Sequence, residues 1–230
     1  MRANLLRSIS HDLRTPLTSI SGNASVLINN SGSLDENKKM QLYEVIYDDS
    51  LWLINLVENL LSVTRIEDGK MNLHLETELI EEVINEALNH ISHKKDEHRI
   101  EVKANDEFIL AKIDAGLIIQ VIINIVDNAI KYTPKGSMIS IETFKHKDFV
   151  EIQIADDGAG ISDKDKEKLF EMFYTVKHEV IDGRRGLGLG LALCKAIIVA
   201  HGGNIAVKDN IPHGTIFSFT LPIKEVEIHE

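Results

Sequence analysis

Three groups of residues, far apart in the chain, are of types that could handle a phosphorylated ligand. Asn124, Asn128 and Lys131 are spaced four and three apart, so on a helix they share one face. An amide oxygen is a hard ligand of the kind magnesium accepts beside phosphate and water, and an ammonium complements phosphate oxygens. The plainer reading of such a face is a solvated one. Asp156-Asp157-Gly158-Ala159-Gly160-Ile161 follows directly on an alternating, strand-like stretch. A carboxylate at a strand end can accept a hydrogen bond from an exocyclic amine such as adenine's, and the glycines admit a ligand close to backbone. Alone, the same pattern equally describes a turn. Gly183-Arg184-Arg185-Gly186-Leu187-Gly188-Leu189-Gly190 then opens a helix. Glycine-rich backbone entering a helix N-terminus offers free N–H groups and a favourable dipole to an anion. The dinucleotide fingerprint does not apply, because no βαβ unit with a following acidic residue surrounds these glycines, and the Walker lysine is missing. Each piece is weak alone; their joint presence in this order points to one phosphate site.

A fourth group is of another kind. His11 stands beside Asp12 and one helical turn before Thr15, and Pro16 follows inside the same helical pattern. Proline lacks an N–H and crowds the carbonyl four residues back, so a bend just after His11 is expected.

The elements that must carry these groups follow from periodicity. Ile9, Leu13, Leu17, Ile20, Ala24, Leu27 and Ile28 recur at helical spacing from a start near Arg2. Asn29 to Ser33 reads as a loop, Leu34-Asp35 leads into a second helix, and Leu51, Ile54, Val57 and Leu61 continue its apolar side. Two helices cannot bury such a surface alone, so a hairpin pairing with a second copy into a four-helix bundle is expected. After Asp68-Gly69 the pattern is mixed. Strands are expected at Arg99–Lys103, Met138–Thr143, Val150–Ala155 and Thr215–Leu221, and helices at Ile80–His93, Gly116–Tyr132 and Leu189–His201. This predicts an α/β sandwich whose helices cover one face of a mixed sheet. The domain boundary is placed between residues 1–68 and 69–230.

Composition removes several function classes. A net charge of -11 argues against a nucleic-acid groove. The single cysteine, Cys194, permits no internal disulfide and fits a reducing compartment. No apolar run reaches the ~18 residues of a membrane span, so no membrane contact by this fragment is expected.

"HDLRTPL", "NIVDNAIKYT", "DDGAGI", "LFEMFY" and "GLGLGL" resemble the H, N, G1, F and G2 boxes of the sensor histidine kinases, in that family's order and across nearly the whole chain. The stretch around His11 is similar to the KdpD-type potassium-sensing branch. The resemblance implies a dimerisation and histidine-phosphotransfer hairpin followed by a Bergerat-fold (GHKL) ATP-binding domain. It implies ATP and Mg²⁺ as cofactors, a response-regulator receiver domain as partner, a homodimer, and the cytoplasmic portion of a parent anchored in the bacterial inner membrane. His11 would accept the γ-phosphoryl group, Asp12 would orient the ring and take its other proton, and Thr15 would help position water for dephosphorylation of the regulator. Asn128 would hold Mg²⁺ with Asn124 assisting, Lys131 would meet phosphates, and Tyr132 would lie beside the nucleotide. Asp156 would read adenine, with Gly158 and Gly160 allowing its approach and Thr215 nearby. Gly186, Leu187, Gly188 and Gly190 would flank a lid from about Ile161, with Phe170 and Phe173 at its base. The lid lacks the family's usual arginine pattern, and Arg184 or Arg185 would serve the phosphates instead. An ATP-driven conformational machine and a chemically inert scaffold are the rival classes; His11 argues against the first, and the nucleotide residues against the second.

Overall fold

The computed structural model describes residues 2–30, 32–67, 73–91, 97–103, 108–176 and 188–223, with residues 2–12, 55, 58 and 60–67 described by their backbone alone. It divides into two compact units, Met1–Thr64 and Arg65–Glu230.

The first unit is α1 (Arg2–Asn30) and α2 (Glu36–Glu67). The turn between them is closed by the Ser33 N–H donating to Asn30 O at 2.9 Å. Asp35 Oδ1 accepts the Lys38 N–H at 2.6 Å and so caps α2, as the Leu34-Asp35 lead-in suggested. Asn29 and Asn30, expected in the loop, are the last residues of α1. Nor does Pro16 interrupt that helix, which keeps helical backbone on both sides of it. The hydroxyl of Thr18 donates to Arg14 O at 2.8 Å just beside it. Many apolar side chains on these helices are uncovered, among them Leu17, Ile28, Met40, Tyr43, Tyr47 and Ile54, each more than half exposed.

The second unit is built on a five-stranded sheet in the order β2-β4-β5-β7-β6. Its strands are β2 (Arg99–Lys103), β4 (Met138–Lys145), β5 (Phe149–Asp156), β6 (Ile205–Asp209) and β7 (Thr215–Pro222). The β2–β4 pair is parallel and the others antiparallel, giving the expected mixed sheet. β1 (Glu76–Leu79) and β3 (Leu110–Ile113) form a separate antiparallel pair. The helices are α3 (Ile80–Asn89), α4 (Ala115–Tyr132), the short α5 (Asp163–Lys166) and α6 (Gly190–Ala200). α3 stops at Asn89, short of the expected His93: the His90 N–H turns back to Ala87 O and the Ile91 N–H to Leu88 O, tightening the chain although Ile91 is still buried. β1, β3, β6 and α5 lie outside the sequence expectations.

Strand alternation decides which face is covered. Ile139 and Ile141 of β4, Val150, Ile152 and Ile154 of β5, and Phe217, Phe219 and Leu221 of β7 are all buried. Their neighbours Ser140, Glu142, Glu151, Gln153, Ser218 and Thr220 point the other way. The covered face packs against Ile118, Val121, Ile122, Ile125 and Val126 of α4 and Leu193, Ile197 and Ile198 of α6. By length and composition α4 could cross a membrane. Its apolar side instead forms this core, and its other side carries Asn124, Asp127, Asn128 and Lys131.

The start of α4 is a junction. Asp114 caps the helix, its Oδ1 accepting from the Leu117 N–H at 3.3 Å. Its Oδ2 accepts from the His74 N–H at 3.0 Å, and its own N–H donates to His201 Nε2 at 3.1 Å. The other ring nitrogen lies 2.8 Å from Ile197 O. Because one partner is a donor and the other an acceptor, His201 is neutral with its proton on Nδ1, and it fastens the end of α6 to the start of α4. His201→Ala leaves the part-buried Asp114 N–H without its partner, so the second unit should lose about 1 kcal/mol or more, read from urea unfolding of the whole chain.

Candidate functional site

α4 carries the first expected group because its sequence makes one face apolar and leaves the opposite face polar. The helix ends where Thr133 turns to extended backbone, its hydroxyl donating to Ala129 O at 2.7 Å, and Pro134 prevents continuation. Asn124, Asp127, Asn128 and Lys131 are all half-buried along the outer face. Asn124 Nδ2 is buried with no hydrogen-bond partner. A Cβ added to Gly190, at the first turn of α6, would stand 3.3 Å from Asn124 Oδ1, so this glycine lets α6 begin directly against the amide. Lys131 Nζ lies 5.3 Å from the centroid of the Tyr132 ring, and Tyr132 is 40% exposed.

The second group sits at the end of the covered sheet face. Asp156 pairs with Ile139 on one side and Thr215 on the other, closing an otherwise apolar row. It is 8% exposed. Its Oδ1 accepts from the Gly158 N–H at 2.9 Å and the Thr215 N–H at 3.2 Å. Desolvation raises its pKa, opposed by those two N–H groups. Both of these bonds engage Oδ1, and Oδ2 is the oxygen that could accept from a ligand amine. Gly158 is held tightly here: a Cβ would fall 2.8 Å from Thr133 Cγ2 and 2.9 Å from Asp156 Oδ1. Asp157 points elsewhere, its Oδ1 accepting from the Met138 N–H at 3.0 Å. A groove of about 610 Å³ is lined by Tyr132, Lys135, Asp157, Gly158 and His213, among others.

Of the third group, Gly188 and Gly190 are described, and Gly186, Leu187, Arg184 and Arg185 lie outside the described residues. Gly188 O accepts from the Phe173 N–H at 2.9 Å, which brings the two ends of the intervening segment side by side. Phe170 packs edge-on against Phe217, ring centroids 6.5 Å apart. Phe173 is 41% exposed with φ 66°, and the lid residues that it was expected to pack beneath lie outside the described residues.

The fourth group is on α1. His11 and Asp12 have helical backbone, and their side chains lie outside the described residues. Thr15 follows on the same helix and is exposed. A groove of about 640 Å³ runs from Leu13 and Arg14 past Leu17 and Thr18 toward Ser25.

Two residues behave in ways that sequence spacing does not disclose. Burial pushes the Asp127 carboxyl up to about 6, against the opposing pull of Lys131 one turn on. Burial likewise pushes the Cys194 thiol up to about 12, a rise tempered by the Asn124 amide. Sulfur is a weak acceptor, and the amide gains no full hydrogen bond from it.

The geometry sets an unpartnered buried amide, a half-engaged buried carboxylate and a helix start opened by glycine in one unit. A nucleotide has groups that match all three: an exocyclic amine for the carboxylate, and phosphate oxygens for the amide N–H and the helix start. Comparison with known proteins agrees. Residues 1–69 match the family described as "His Kinase A (phospho-acceptor) domain", and residues 113–225 match "Histidine kinase-, DNA gyrase B-, and HSP90-like ATPase". The chain belongs to the sensor histidine kinases. It is 45% identical over 222 residues to the sensor protein KdpD of Clostridium acetobutylicum, covering 96% of this chain and 25% of that protein. It therefore spans about a quarter of the length of this relative. Among solved structures, the histidine kinase AdeS of Acinetobacter baumannii is 27% identical with a TM-score of 0.65, the match covering 94% of this chain and 98% of that one. The histidine kinase ThkA, in complex with the response regulator protein TrrA, is 25% identical with a TM-score of 0.65, over 96% of this chain and 61% of that one. The kinase chain thus joins a phosphoacceptor hairpin to a GHKL ATPase sandwich.

The Asp127 carboxyl gives a pH test. Its folded pKa is above the ordinary carboxylate value, so the protonated form is favoured by folding. That contribution is full below about pH 4 and is lost as pH rises through about 6; a displacement of this size is worth on the order of 3 kcal/mol. Relative to Asp127→Asn, the native chain should lose stability between these pH values in urea unfolding, with the carboxyl carbon titrating near pH 6 by NMR.

Proposed function

We propose that this chain transfers the γ-phosphoryl group of ATP to His11 and then to an aspartate of a response-regulator receiver domain. Residues 1–68 serve dimerisation and phosphotransfer, and residues 69–230 bind the nucleotide. The buried, unpartnered Asn124 amide facing the start of α6 carries the nucleotide half of this reading. The match of residues 1–69 to a phospho-acceptor family supports the other half.

Each residue has a definable task. Asp156 accepts from the adenine amine through its free oxygen, and Gly158 lets the ring lie against backbone. Thr215 holds the carboxylate through its N–H, and Gly160 continues the same turn. Lys131 meets phosphate oxygens, Tyr132 flanks the nucleotide, and Gly186 to Gly190 admit the phosphates to the N-terminus of α6. Asn128, assisted by Asn124, would hold Mg²⁺, which would supply neutralisation of phosphate charge. On α1, Asp12 takes the proton from one imidazole nitrogen of His11, leaving a lone pair on the other. That nitrogen attacks the γ-phosphorus, the P–N bond forms, and the P–O bond to ADP breaks with ADP leaving.

The partner and assembly follow from the same features. The complex of ThkA with TrrA supports a response regulator as the acceptor. The exposed apolar side chains of α1 and α2 support a homodimer through the hairpin, since a second copy would cover them. The fragment is read as the cytoplasmic portion of a membrane-anchored sensor of the KdpD type. Thr15 supports a further activity, hydrolysis of the phosphorylated regulator, because it lies one turn after His11 on an exposed position of the same helix.

With γ-labelled ATP and Mg²⁺, the chain should acquire an acid-labile, base-stable label that His11→Gln abolishes; ATP hydrolysis without label would instead indicate an ATP-driven machine. Thr15→Ala should remove phosphatase activity while sparing autophosphorylation, and equal loss of both would overturn its assignment.

A further inference from the structure

The β6–β7 loop, residues 210–214, makes bonds to the Asp156-Asp157 backbone that a simple connection between neighbouring strands does not require. The Asn210 side-chain amide donates to Asp156 O at 2.8 Å. The Asn210 N–H donates to Gly214 O at 3.1 Å, closing the loop on itself. His213 Nδ1 lies 2.8 Å from Asp157 O. A carbonyl can only accept, so Nδ1 carries the proton in this bond. Gly214 has φ 115°, and a Cβ there would overlap Asp156 O, so the loop comes as close to this carbonyl as glycine allows. The next residue supplies the Thr215 N–H to Asp156 Oδ1. Two successive carbonyls are therefore held from this loop, and one carboxylate oxygen from the first residue of β7.

We propose that Asn210 and His213 are positioning residues for base selection, fixing the Asp156-Asp157 backbone so that the free carboxylate oxygen of Asp156 keeps one direction. The inference rests on the reading of Asp156 as the adenine acceptor. Adenine presents an amine donor at its six-position, whereas guanine presents a carbonyl oxygen there that a fixed carboxylate repels. Selection between them depends on the carboxylate being unable to turn away. With the carbonyl clamps removed, the 156–157 backbone can rotate, which lowers adenine affinity and relieves the penalty on guanine. Asn210 is half-buried and carries the larger share. His213 is exposed, and its bond competes with water.

Calorimetric titration of the whole chain with ADP and with GDP tests this without reliance on turnover. A neutral hydrogen bond in these settings corresponds to a change of about three- to tenfold. Asn210→Ala should weaken ADP binding about tenfold while GDP binding holds or improves, so that the ADP-to-GDP preference falls. Asn210→Asp keeps the shape but replaces the donor with an acceptor facing Asp156 O, and should act in the same direction. His213→Ala should lower the preference about threefold, and His213→Asn, whose amide also donates, should restore it. A parallel loss of ADP and GDP affinity, or unchanged preference in all four variants, would overturn the proposal. Asp156→Ala separates the layers: if it abolishes the preference while the loop variants do not, the brace alone fails. If Asp156→Ala leaves ADP binding intact, the adenine reading fails and the inference with it.

Discussion

A carboxylate at the end of an apolar row sets the terms for the second unit. Asp156 faces the same side of the sheet as Ile152 and Ile154, where an ionised group loses its water. Such a group persists only where donors replace that water. The backbone at Gly158 and Thr215 supplies them, and both positions are fixed by the surrounding chain: Gly158 by its fit against Thr133, Thr215 by register opposite Asp156. The turn after β5, the end of α4 and the start of β7 thus converge because one oxygen needs two N–H groups.

α4 solves a related problem in helical form. Its apolar residues complete the core against the sheet, and the same rotation places Asn124, Asp127, Asn128 and Lys131 opposite. Core and site are coupled through one rigid body. A shift of α4 large enough to move its amides would also disturb Ile122 and Ile125, which are almost wholly buried. Close packing of this kind resists such displacement. The Asn124 amide nitrogen is buried without a hydrogen-bond partner, and the side chain lies where the glycine at the start of α6 makes room.

How much of this was legible depended on the length and regularity of each pattern. α4 and the long strands β4, β5 and β7 were readable because each repeats its period over several turns or pairs. Asp156 stood out because a charged residue ended an alternating run. β1 and β3 have four residues each, too few for alternation to rise above chance, and β6 is an edge strand with only its first residue buried. Pro16 removes one helical hydrogen bond without ending the helix, whose backbone continues through it. The positive φ of Phe173 is a backbone property that a motif position does not disclose. Asn210 and His213 could not be singled out at all, since their partners are carbonyls more than fifty residues away and carry no side-chain signature.

The lone thiol has a practical corollary. Cys194 is wholly buried in α6, and with its proton held to about pH 12 it presents almost no thiolate, the form that reacts with maleimides, disulfides and peroxides. The folded kinase therefore behaves chemically as a cysteine-free protein although its sequence is not. A cysteine introduced on the surface of either unit would be the one addressable handle for a spin label or fluorophore, with the native residue left in place to fill the core.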